Sequence, residues 1–274
     1  MRIFETFKPE SELIRKYVSY YYLHITDDQN EENEYICYPH YNNTISLYSS
    51  HRFKYEPDHA ILEFDIESKP VQIYTPIRER PLKVTQIGFV CKIAIVFNPF
   101  GINQFLNGSS LLTFDANFSF FEEEEIKQLF GTSNIEKLVT FVDHLLIKRY
   151  AKVENLYIEK ALDLFRDNVD DISIDSIAEN KLGISRKHLN RLFHKYLNIS
   201  PQKYRSIVRF RELMSNKLSN NRDQNLSDLS HQANYTDQSH FIKACKLLTG
   251  VAPAKFFNDG KIIGKEDTFW KFSS

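Results

Sequence analysis

SRKHLNRLFHKYLNISPQKY, from Ser185 to Tyr204, and DQSHFIKACKLLTGVAPAKF, from Asp237 to Phe256, are two versions of one pattern set 52 residues apart. Superposed, His188 falls on His240, Leu189 on Phe241, Arg191 on Lys243 and Lys195 on Leu247; further on, Asn198 falls on Gly250, Pro201 on Pro253 and Tyr204 on Phe256. Upstream, Ile177-Ala178 falls on Leu229-Ser230. An internal repeat of this length marks a supersecondary unit used twice. Each copy reads as helix, tight turn and helix. A residue tolerant of left-handed backbone follows, and then a proline placed to open the next helix.

Each copy has the parts of a helix-turn-helix. A close helix crossing calls for a small residue, supplied by Ala178 and Ser230. The turn calls for a residue that accepts positive φ, supplied by Gly183 and Asn234, although these two do not superpose at the common offset. The second helix needs an N-cap, met by Ser185 in one copy and by Thr236 or Asp237 in the other. Its apolar positions are Leu189, Leu192, Phe193 and Tyr196, then Phe241, Ala244, Cys245 and Leu248, both sets at helical spacing. The opposite faces are polar: Arg186, Lys187, Asn190, Arg191 and His194, then Gln238, Ser239, His240, Lys243 and Lys246. Such faces suit the edges of base pairs, and a major groove admits one helix. Two of them joined by a helix over 201–217 would sit in successive grooves about 34 Å apart.

Charge supports this reading. The 274-residue chain has a net charge of −1, which taken whole gives no reason to expect nucleic acid. Resolved along the chain, residues 1–154 hold 16 Lys/Arg against 22 Asp/Glu, whereas residues 181–217 hold ten basic residues against Glu212 alone. A net of +9 over 37 residues is a cationic patch of the kind phosphates attract. Lys195, Arg205 and Arg209 belong to it and join the candidate DNA contacts, as do the caps Ser185 and Asp237.

Outside the repeat, the pattern predicts an α+β chain. Tyr17–His24, Thr44–Tyr48 and Val84–Phe97, with a break at Gly88, read as strands. A short helix through Gln104-Phe105-Leu106 follows the Asn98-Pro99-Phe100-Gly101 turn, and helices are expected over 122–130 and 134–150. The stripe Ile135, Leu138, Val139, Val142, Leu145, Leu146 suits packing on the strands or on a partner subunit. The all-helical part has expected helices at 156–168, 174–181, 185–197, 201–217, 225–233, 237–248 and 253–258. The expected division is a domain over 1–153, a helical domain over 154–260 with units at 174–197 and 225–248, and a tail over 261–274. In that tail Phe269, Trp270 and Phe272 are available to pack back or meet a partner.

Several classes drop out. No apolar run reaches the roughly 18 residues a membrane span needs, and the first residues lack the apolar core of a signal peptide, so a cytoplasmic location is expected. Cys37, Cys91 and Cys245 form no CxxC pair, and Cys37 with His40 makes a poor metal set. The acidic run Glu122–Glu125 has no companion histidine. The chain has no GxGxxG, GxSxG, HExxH or P-loop, and so no catalytic residues and no cofactor are expected.

The stretches IDSIAENKLGISRKHLNRLFHKYLNISPQKYRSIVRFRELM and LSDLSHQANYTDQSHFIKACKLLTGVAPAKFF resemble the AraC/XylS family of bacterial transcription regulators. The resemblance implies an AraC-type DNA-binding region over roughly 156–258 with two helix-turn-helix units, sequence-specific binding of double-stranded promoter DNA, and no enzymatic activity. The first 150 residues are similar, through CYPHYNNTISLYSS and IAIVFNPFGINQFL, to β-rich, cupin-like domains that bind an effector or dimerise in that family. A small-molecule effector, a second copy and RNA polymerase are the further partners the resemblance implies. The chain departs from the family at Asn234 (usually Gly), Ser230 (usually Ala) and Cys245 (usually Phe). The rival reading is a cupin-like metal-binding enzyme domain fused to a DNA-binding module.

Overall fold

The computed structural model describes residues 3–30, 32–106, 113–116, 118–132, 134–167, 172–219, 238–263 and 269–272. The N-terminal half is two facing sheets. One has the order β1 (Ile3–Phe7), β2 (Val18–Ile25), β9 (Cys91–Phe97), β4 (Asn43–Tyr48), β7 (Val71–Thr75). The other contains β3 (Glu32–Cys37), β8 (Leu82–Ile87), β6 (His59–Phe64) and β5 (His51–Glu56). Pairing is antiparallel except between β6 and β8. Gly88, at φ +79°, provides the break expected between β8 and β9.

The first sheet is buried on both faces, and that explains its near-continuous apolar strands. Alternate residues point opposite ways. Tyr20, Tyr22, Tyr48, Ala94 and Val96 enter the sandwich with Tyr35, Leu62, Leu82 and Val84. Tyr21, Ile45, Leu47, Ile93, Ile95 and Phe97 face the other way, onto helices. Those helices are α2 (Glu123–Phe130) and α3 (Ile135–Arg149). Leu138, Val139, Val142, Leu145 and Leu146 of α3 are all buried there, so this stripe belongs to the core of the sheet-helix layer. Asp143 on the same helix locks the layer: its carboxylate accepts from the Tyr21 hydroxyl at 2.5 Å and from the Glu10 and Ser11 amides at 2.8 and 2.6 Å. In place of the short helix expected at Gln104–Leu106 there is one 3₁₀ turn at Ile102–Phe105. It follows Gly101, where a Cβ would meet the Tyr17 carbonyl oxygen at 2.1 Å; only glycine fits so close to that backbone.

From α4 (Leu156–Asp167) the chain is helical: α5 (Ile174–Ser176) running into a wider turn at Ile177–Lys181, α6 (Arg186–Leu197), α7 (Pro201–Ser219), α8 (Gln238–Thr249) and α9 (Pro253–Asp259). One core holds them, built on Phe165, Ile177, Ala178, Leu189, Phe193, Tyr204, Phe210, Phe241 and Phe256. Tyr38, Ile77 and Phe100 of the β-rich half enter that same cluster. The expected helix at 225–233, the turn at Asn234 and the caps Thr236 and Asp237 lie outside the described residues. The tail returns to the β-rich half: β10 (Gly260–Ile263) pairs with β11 (Phe269–Phe272), and β11 pairs with β3 through Trp270 and Ile36.

Candidate nucleic-acid interface

The first unit forms as local sequence dictates. Ser173 caps α5 by accepting from the Ser176 amide at 3.0 Å. Gly183 makes the turn at φ +67°, and Ser185 caps α6 by accepting from the His188 amide at 3.2 Å. Leu189, Leu192, Phe193 and Leu197 are the buried stripe of α6. Burying side chains of this size contributes about 1.5–3 kcal/mol each. Asn198 ends the helix in the left-handed region at φ 55°, and Gly250 ends α8 the same way at φ 77°. The residues superposed by the repeat thus do the same backbone work.

With the apolar stripe inside, Arg186, Lys187, Arg191, His194 and Lys195 are exposed, and Asn190 is half-buried. Arg186 is steered by Asp175, to whose two carboxylate oxygens its Nη1 donates at 3.2 and 2.9 Å. Asn190 donates to the Arg186 carbonyl at 3.1 Å. Lys195 lies over the Tyr196 ring at 4.8 Å. The half-buried His188 meets the Tyr157 ring at 5.9 Å, at the margin of the face.

In the second unit, Phe241, Cys245 and Leu248 are buried and Ala244 is half-buried. Burial pushes the Cys245 thiol up to about 11, so this is a packing residue rather than a nucleophile. Ser239, Lys243 and Lys246 are exposed on α8, and beside them stands Leu247, 71% exposed. Asp237 and the side chains of Gln238 and His240 lie outside what is described.

The cationic segment divides. Lys187, Arg191 and Lys195 face solvent, but other members hold the fold together. Arg205 donates to the Ile172 carbonyl at 2.8 Å, closing the start of the first unit. Arg209 is half-buried. Lys203 pairs with Glu79 at 2.5 Å. Arg211, only 3% exposed, donates to the carbonyls of Pro39 and Tyr38 at 2.6 and 2.9 Å. Charge counting along the chain could not separate these from α6. The helical period could have, because Arg211 falls four residues after Ile207 and three before Met214, on the buried side of α7.

The β-rich half also holds the end of α6. Tyr196, expected inside its own domain, packs edge-on against Phe100 at 5.3 Å, and its carbonyl accepts from Asn103 at 3.2 Å. Between the halves runs a cleft of about 960 Å³ bordered by Lys16, Arg166 and Arg211 and by Glu154, Glu159, Asp163 and Glu212. Cys37 is half-buried, and burial raises its thiol to about 11; burial also keeps the His40 imidazole well below its usual range. Among the described residues no three His, Cys, Asp or Glu side chains gather as a metal site, and no helix is long and apolar enough to cross a membrane.

Comparison with known proteins agrees with this geometry. Residues 177–259 match the model of a helix-turn-helix domain family. Among curated proteins none matches. A crystal structure of ToxT from Vibrio cholerae is similar at 13% identity over 86% of this chain and 97% of that one, with a TM-score of 0.51. A second ToxT structure, from Vibrio cholerae O395, is similar at 13% identity over 86% and 96%, with a TM-score of 0.47. The likeness to the first shows that the fold, a β-rich half followed by a helical half, is shared. Residues 177–259 form a helix-turn-helix domain of the AraC type, and the chain that carries them is a DNA-binding transcription regulator.

Proposed function

We propose that α6 and α8 enter successive major grooves of a double-stranded operator, and that the β-rich domain sets their competence in response to a small-molecule effector. The observation that carries the reading is the division of α6 into two faces. Leu189, Leu192, Phe193 and Leu197 are buried, while Lys187, Arg191, His194 and Lys195 are presented together to solvent. Arginine and lysine reach guanine edges or phosphates from such a face, and Ser239, Lys243 and Lys246 offer the matching set on α8. Asp175 holds Arg186 ready at the N-terminal end, where recognition helices meet the bases. The protein works in the bacterial cytoplasm, where its DNA is. A second copy and RNA polymerase complete the set of expected partners.

Selection of duplexes from a random pool by the full-length chain tests this. The expected product is two conserved half-sites about 10 bp apart, centre to centre. Enrichment of a single half-site would remove α8 from the reading, and recovery of no preferred sequence would overturn it.

A further inference from the structure

The exposed face of α6 carries Arg186, Lys187, Arg191, His194 and Lys195, and the helix holds no acidic residue of its own. One carboxylate reaches that face from the neighbouring helix. Asp175, in the first turn of α5, accepts from the Arg186 Nη1 with both oxygens, at 3.2 and 2.9 Å. The two side chains are about half exposed, at 52% and 53%. Asp175 is itself well placed: Ser173 caps the turn it stands on, and Ile174 beside it is buried in the helical core. Among the described residues Lys187 and Arg191 make no ion pair, so within this group of cations the carboxylate singles out Arg186.

An exposed ion pair contributes little to folding. The two helices are held together by Ile174, Ile177, Ala178, Leu189 and Phe193 in the core beneath. On a face that meets DNA a carboxylate is also unfavourable, because phosphates repel it. Two effects offset this. The carboxylate fixes a long side chain that would otherwise lose its rotamer freedom on binding. It also neutralises the guanidinium, which suits Arg186 less to a phosphate and more to the uncharged edge of a base pair. With Nη1 engaged, Nε and Nη2 have no protein partner among the described residues. That edge of a guanidinium offers two parallel donors, the match for O6 and N7 of guanine in the major groove. Lys187 and Arg191, left uncompensated, keep their full attraction for phosphates.

We infer that Asp175 is a positioning residue for sequence recognition, holding Arg186 so that Nε and Nη2 read one guanine in the half-site under α6. The inference rests on the proposed DNA reading. It gives that face a particular base and adds, from the first helix of the unit, a residue that enforces the choice.

The test uses the full-length chain and duplexes it selects from a random pool. Repeating the selection with Arg186→Ala identifies the guanine whose preference depends on that arginine. This guanine is then replaced by 7-deazaguanine, which keeps the base pair but lacks the N7 acceptor. By anisotropy the replacement is expected to weaken the wild type about fivefold or more, and Asp175→Ala and Arg186→Ala less than about twofold. On an unrelated duplex Asp175→Ala should bind as tightly as the wild type or more tightly, since a negative charge has left the face. Asp175→Asn, of the same size, serves if the alanine variant does not fold. A wild-type loss on 7-deazaguanine in the Asp175 variant would overturn the inference, as would selected half-sites in which no guanine depends on Arg186. Equal weakening of the variant on selected and unrelated duplexes would assign Asp175 to the fold instead and overturn it as well. Recovery of no preferred sequence by the wild type would strike at the DNA-reading proposal, and the inference would fall with it.

Discussion

The core of the β-rich half and the exposed face of α6 use charge in opposite ways. In the β-rich half, Lys92 and Asp143 are each 4% exposed and His51 1%. In the helical half, Lys187, Arg191 and Lys195 stand in solvent. A buried charge is held by its neighbours and becomes part of the fold, whereas an exposed one is free to meet another molecule. The prediction of largest effect tests this directly. Asp143→Ala strips the acceptor from three donors, Tyr21 and the Glu10 and Ser11 amides. It is expected to cost about 3 kcal/mol or more, since each orphaned buried donor costs about 1–3 kcal/mol. Arg191→Ala should leave stability within about 0.5 kcal/mol. Urea unfolding midpoints of the two variants would settle it, and similar losses would break the comparison.

His51 sharpens it with pH. Its Nε2 donates to the Phe89 carbonyl at 3.0 Å, while Nδ1 is buried with no partner. Burial lowers its pKa from about 6.5 to about 4. The unfolded chain therefore takes up a proton below about pH 6.5 that the folded chain refuses until about pH 4. Stability contributed by the neutral ring is whole above pH 6.5 and is lost as pH falls toward 4. Each pKa unit is about 1.4 kcal/mol, so the loss is expected to be about 2–3 kcal/mol. Unfolding of the wild type and of His51→Gln between pH 7 and 4 reads this; parallel curves would refute it.

On the exposed side the effect belongs to binding. Arg191→Ala should weaken a selected duplex by about 1–3 kcal/mol with relaxed preference at one position if it reads a base; if it meets phosphate, the loss comes with a salt slope lower by about one. Lys243→Ala on α8 is expected to act as a phosphate contact, weakening all sequences evenly. Anisotropy over a salt series distinguishes these outcomes. An unchanged affinity for Arg191→Ala would remove it from the interface.

How much of this was legible in sequence follows from the same contrast. The α6 and α8 stripes, the Ser185 cap, the Gly183 turn and the break at Gly88 were legible, because each follows from local periodicity or backbone tolerance. The inward position of Lys92 was not. In a sheet buried on both faces, alternation carries no contrast between apolar and polar, so the face a lysine takes is hidden. The role of Arg211 was hidden for another reason. It depends on carbonyls of Tyr38 and Pro39, more than 170 residues away in the chain, which no window along α7 contains. The return of β10 and β11 to β3 is likewise a long-range pairing.

The smallest expected effect bears on the repeat itself. Asn198 and Gly250 occupy superposed positions and both lie in the left-handed region. A Cβ built on Gly250 meets nothing within 4 Å, so replacement there costs backbone energy alone. Gly250→Ala is expected to lose about 1–2 kcal/mol, and Asn198→Ala about 1 kcal/mol, because asparagine already carries part of the strain that glycine avoids. Thermal unfolding of both variants measures this. A cost at Gly250 well above about 2 kcal/mol would mean that the second turn is held by packing as well as by backbone. The two units would then share a chain pattern without sharing the physics that ends their reading helices.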